Sequence, residues 1–101
     1  LTKEKFIESL NEPSPPQGLH SLMLALWYDA KGEWDKAHNI VQNLSSKAAS
    51  WIHAYLHRKE GDIANAKYWY MRAEKEIPDL TIELTEEWDN IVSALEDFLK
   101  V

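Results

Sequence analysis

Residues 51–78 read WIHAYLHRKEGDIANAKYWYMRAEKEIP, and this stretch decides the fold. Apolar residues recur at three- and four-residue spacing on both sides of Glu60-Gly61-Asp62, the pattern of two amphipathic helices joined by a tight turn. The first helix is expected over Lys47–Lys59, with Ala48, Trp51, Ile52, Tyr55 and Leu56 on one face. Gly61 supplies the turn, and Asp62 can cap the next helix. That second helix is expected over Ile63–Ile77, with Ile63, Ala66, Tyr70, Ala73 and Ile77 inward and Pro78 as its stop.

Upstream the same pattern returns. A helix is expected over Pro16–Ala30, started by Ser14-Pro15 and apolar around most of its circumference (Leu19, Leu22, Met23, Leu24, Ala25, Leu26, Trp27, Tyr28). A helix so apolar should be buried on more than one side. Lys31-Gly32-Glu33 ends it, and a third helix comes next over Glu33–Leu44, with Trp34, Ala37, Ile40, Val41 and Leu44 inward. At the N-terminus Thr2–Leu10 reads as a short capped helix with Phe6, Ile7 and Leu10 on one face, separated by the proline-rich linker Asn11–Gln17. At the other end Thr85 is expected to cap a last helix whose stripe is Trp88, Ile91, Val92, Leu95, Phe98 and Leu99. Nothing reads as a strand. The expected architecture is all-α and a single domain over residues 1–101. It divides into an N-terminal helix (1–12), a first hairpin (16–46), a second hairpin (47–78) and a C-terminal capping helix (84–101).

Aligning the turn glycines places Gly32 on Gly61, Trp34 on Ile63, Ala37 on Ala66, Val41 on Tyr70 and Leu44 on Ala73, a period of 29 residues. Periods of 20–50 residues with one helix pair each indicate stacked helical repeats. Ala37 and Ala66 fall where the helices of each hairpin would cross most closely, and a larger side chain would hold them apart.

The second unit, AYLHRKEGDIANAKYWYMRAEKEIP, resembles the tetratricopeptide repeat in its Gly61-Asp62 turn, small Ala66 and Ala73, aromatic Tyr70 and closing Pro78. The first unit keeps Gly32, Trp34 and Ala37 but has Leu44 and no closing proline. The likeness spans about 60 residues, Leu19 to Pro78. The unit is shorter than that family's repeat, and His53 and His57 stand where apolar residues are usual. HAYLHRKEGD…NAKYWYMRA also resembles small bacterial proteins of unassigned function. The tetratricopeptide resemblance implies a protein-binding groove lined by the first helix of each unit. Its residues here would be Leu22, Leu26 and Asp29, then Trp51, Tyr55, Arg58 and Lys59. The carboxylate clamp of family members that bind chaperone tails has no counterpart at Leu22 and Leu26.

Charge is unevenly placed. The net charge of −6 combines −2 over residues 1–46, +3 over 47–75 and −7 over 76–101. An acidic total disfavours nucleic acid, since phosphate neutralisation needs a net basic face. The acidic end is expected to pack over or near the basic middle. The longest apolar run, Leu22–Tyr28, is far too short for a bilayer. The absence of cysteine fits a reducing compartment, and the expected location is the cytoplasm.

Two readings of function stay open. In the first, the chain is not an enzyme. It binds a protein or peptide through an aromatic–basic face made of Trp51, Tyr55, Arg58, Lys59, Tyr68, Trp69 and Arg72. Tyr68, Trp69 and Tyr70 are consecutive and cannot all point inward on a helix; if Tyr70 is core, Tyr68 or Trp69 is left for a surface. In the second, His53 and His57, four apart on one face, form with Glu60 and Tyr68 a polar pocket for a small molecule or metal, with a catalytic role left open. His20 and His38 are read as lying elsewhere, and no HExxH, serine elbow, phosphate loop or nucleotide fingerprint is present. No cofactor or metal is expected on the first reading. A homodimer glued by the last helix is a third, structural expectation.

Overall fold

The computed structural model describes residues 1–100; Val101, the end of the expected C-terminal segment, lies outside the described residues. The chain is all-α. Among the described residues the six helices are α1 (Lys3–Glu8), α2 (Ser21–Ala30), α3 (Trp34–Val41), α4 (Lys47–Lys59), α5 (Ile63–Arg72) and α6 (Leu84–Ala94). Short 3-10 turns at Ser9–Asn11 and Glu96–Leu99 extend the first and last. No helix among the described residues is long and apolar enough to cross a membrane.

Local signals set most helix starts. Thr2 Oγ1 accepts from Lys5 N at 3.1 Å, Ser46 Oγ from Ala49 N at 3.1 Å and Asp62 Oδ1 from Asn65 N at 3.2 Å. Each satisfies an amide that the helix itself leaves unpaired. α2 begins later than expected, at Ser21 rather than Pro16. Gly18 takes φ +78°, which breaks the helical path, and His20 Nδ1 becomes the cap, accepting from Leu22 N at 3.1 Å. α6 begins at Leu84 without the Thr85 cap; Glu83 holds that position with no side-chain bond.

The ends of α2 and α4 share one motif. Glu33 N bonds Tyr28 O while Gly32 N bonds Asp29 O, and Asp62 N bonds His57 O while Gly61 N bonds Arg58 O. This Schellman closure needs a left-handed residue, and the glycines supply it at φ +81° and +89°. α5 closes in the same way, Lys75 N to Tyr70 O and Glu74 N to Met71 O, with Glu74 at φ +56°. The helix therefore stops at Arg72 instead of running to Ile77, and Ile77, expected inward, is 47% exposed. α3 likewise ends at Val41, which leaves Leu44 on the surface.

The tight turns fold α2 against α3 and α4 against α5. Ala37 is fully buried and Ala66 nearly so, as close crossing requires. α4 is the central helix: Ala49 to Arg58 are buried throughout except Trp51, which is half-buried. α6 then lies across α2 and α4. Its Ile91, Val92 and Leu95, with Leu99 beyond, are buried in one core with Phe6, Leu22, Met23, Leu26, Trp27, Tyr55 and Leu56. The apolar stripe on which the dimer expectation rested is thus covered within one chain, and of its members only Phe98 is exposed. The Trp88 indole N–H donates to Leu26 O at 3.0 Å and ties α6 to α2.

Candidate functional site

The face expected from the sequence is divided by the fold. Tyr55 and Arg58 are buried, so no open surface extends over them. Arg58 Nη1 donates to Glu87 Oε1 at 2.6 Å, and Nη2 reaches Ile82 O. The other oxygen of Glu87 accepts from the Tyr70 hydroxyl at 2.6 Å. The acidic end meets the basic middle through this buried pair. Lys59 is exposed but donates to Asp29 Oδ1 at 2.9 Å; Oδ2 of this buried aspartate has no well-aligned partner. Burial, then the Asp29 carboxylate, pushes the Tyr55 hydroxyl well above the usual phenol range. Leu22, Leu26 and Asp29, the groove residues implied by the tetratricopeptide resemblance, are buried too.

What stays at the surface is the outer side of α5. Tyr68 is 45% exposed and Met71 67%, with Arg72 also exposed. The Arg72 guanidinium sits 5.8 Å from the Tyr68 ring centroid and 5.3 Å from that of Trp69, and donates to the Tyr68 hydroxyl at 3.0 Å. Lys75 Nζ lies 4.3 Å above the half-buried Trp51 ring. Among the described residues no carboxylate pairs with Arg72, Lys75 or Lys67.

Where α3 and α4 meet, with α5 alongside, the histidines assemble. His53 and His57 share a face as their spacing requires, and His57 Nδ1 lies 2.7 Å from Glu60 Oε1. His38, expected elsewhere, joins them: its Nε2 is 3.0 Å from His53 Nε2. One ring nitrogen from each of the three lies within 4.8 Å of the other two. Two indoles wall the cluster. Trp34 stacks on His38 at 4.8 Å and anchors through its N–H to Leu56 O at 2.8 Å; Trp69 stacks on His53 at 3.9 Å. Burial, with His38 and His57 beside it, holds His53 down at about 4. Burial and His57 also lower His38, against the opposing pull of Glu60 and Asp35. Tyr68 lies outside this cluster and pairs with Arg72 instead. His20 caps α2 and packs on Phe98. The sequence did carry a sign of His38: residues 34, 37, 38 and 41 make one helical stripe, and only its apolar members entered the expected face.

Compared with protein-family models, with curated proteins and with solved structures, the chain gives no match.

Proposed function

We propose that this chain is a non-enzymatic interaction module, two tetratricopeptide-like hairpins clamped by a C-terminal helix, that binds an acidic peptide segment of a partner protein. The binding face is the outer side of α5, with Tyr68, Trp69 and Arg72 at its centre and Lys75 over Trp51 at its edge. The observation that carries this reading is the unpaired cation over an exposed tyrosine and a half-buried tryptophan: Arg72 is stacked on two rings and bonded to no carboxylate among the described residues. A planar guanidinium held this way keeps donors free for bidentate contact with a carboxylate. Exposed Met71 and Tyr68 add apolar area beside it, the mixture found at binding hot spots. This is a smaller face than the sequence led us to expect, since Tyr55 and Arg58 are not part of it.

A displayed random-peptide library tests the reading, with wild type compared against a folded Arg72→Ala/Lys75→Ala variant. Peptides with Asp or Glu beside an apolar anchor should be enriched on wild type and bind the variant at least tenfold more weakly. Absence of acidic enrichment, or equal binding by both proteins, overturns it.

A further inference from the structure

We propose that His38, His53 and His57 form a binding site for a divalent late transition metal, zinc in the first instance, with Glu60 as the outer acceptor that orients His57. The site borders the α5 face, sharing the Trp69 ring with it, but uses none of that face's cations and does not rest on its proposed partner.

The donor set selects the ion class. Three imidazoles with no thiolate suit zinc, copper or nickel, whereas calcium and magnesium need oxygen ligands. Spacing agrees. Tetrahedral zinc with bonds of roughly 2.0–2.1 Å sets its ligand nitrogens about 3.3 Å apart. His38 and His53 already stand at 3.0 Å, and the third nitrogen is within 4.8 Å. α3 supplies one ligand and α4 two, at i and i+4 on one face, so the α3–α4 packing itself builds the site.

Tautomers point the same way. His57 Nδ1 faces a carboxylate at 2.7 Å and so carries the proton; Nε2 then holds the lone pair, and accepts from Asn65 Nδ2 at 3.3 Å. A metal-ligating histidine typically donates its other N–H to a carboxylate in this manner. An ion on Nε2 would displace the Asn65 amide, which is only half-buried. Between His38 and His53 a metal-free contact requires one Nε2 to donate to the other; an ion accepts the lone pairs of both. Half-buried His38 gives the ion a route in, while the Trp34 and Trp69 rings fix the imidazole planes against which it closes. The fourth position falls to water or an outside ligand.

The full chain, treated with chelator and then dialysed, is titrated with zinc by calorimetry and with cobalt(II) by visible absorption. One ion per chain, a raised melting temperature and the intense visible bands of a tetrahedral cobalt site are expected. His38→Ala, at a half-buried position, should keep its helical circular dichroism and lose at least tenfold in affinity together with the cobalt bands. Glu60→Gln should lose 10- to 100-fold, as outer partners of metal ligands do. Asn65→Ala should bind at least as tightly as wild type, and His20→Ala unchanged. No binding by the wild-type chain overturns the proposal. So does binding that survives His38→Ala, because the ion would then sit on His57, Glu60 and Asp62 at the turn.

Discussion

Arg58 and Glu87 meet at 2.6 Å with side chains only 6% and 4% exposed, fastening the first turn of α6 to the last turn of α4. Glu87 accepts from Arg58 on one oxygen and from Tyr70 on the other, so α4, α5 and α6 converge on one carboxylate. Removing that carboxylate strands a guanidinium inside the protein. Glu87→Ala should therefore destabilise the fold by about 3–5 kcal/mol, measured by urea unfolding. Replacing the pair together, Arg58→Met with Glu87→Leu, removes both desolvation penalties and should recover part of the loss, the buried Tyr70 hydroxyl still lacking its acceptor. If the double variant is no more stable than Glu87→Ala, the pair is not the reason for the single-variant loss.

Glu74 and Gly61 occupy equivalent places at helix ends, both at positive φ. A side chain costs roughly 1 kcal/mol there, because Cβ crowds the neighbouring carbonyl. Glu74→Gly should stabilise by about 0.5–1 kcal/mol even though it breaks the exposed Lys47–Glu74 ion pair, since surface pairs contribute little. Gly61→Ala should destabilise by about 1 kcal/mol although an added Cβ meets nothing within 4 Å, the cost being conformational. Chemical denaturation of both variants checks the opposite signs.

His53 makes metal-free stability depend on pH. It is 5% exposed, faces His38 from α3, His57 on its own helix and the Trp69 ring from α5, and protonates only at about 4 instead of 6.5. Between those values the unfolded chain binds more protons, so stability rises with pH. This contribution is complete above pH 6.5 and is lost as pH falls towards 4, a change on the order of 3 kcal/mol. Urea midpoints of the chelated protein at pH 7, 5.5 and 4.5 should fall in that order, and His53→Gln should flatten the trend.

Met71, on the outer side of α5 next to Arg72, is 67% exposed. Met71→Ser should leave stability within about 0.5 kcal/mol, as surface substitutions do. The same variant should weaken the acidic-peptide binding proposed for this face, read by fluorescence titration of the intact chain. A large loss of stability would mean that Met71 is holding the fold and not presenting a surface.

Much of the fold is written locally. Thr2, Ser46 and Asp62 act on amides three residues away; Gly32 and Gly61 close their own helices; small Ala37 and Ala66 let each pair pack. Such signals work within a turn or two of chain and so are legible in order. The end of α5 was misleading for the same reason. Apolar Ile77 continues the helical spacing, while the left-handed Glu74 that ends the helix has no glycine to announce it.

By itself, then, the sequence determined six helices, their turns and the pairing of neighbours. Which side chains share a site was decided only when distant segments met. Arg58 left the surface because Glu87 lies 29 residues further on, and His38 reached His53 across 15. An arginine or histidine at a given helical position is compatible with water or with burial. The partner that makes burial tolerable comes from another element, and periodicity along one helix carries no information about it.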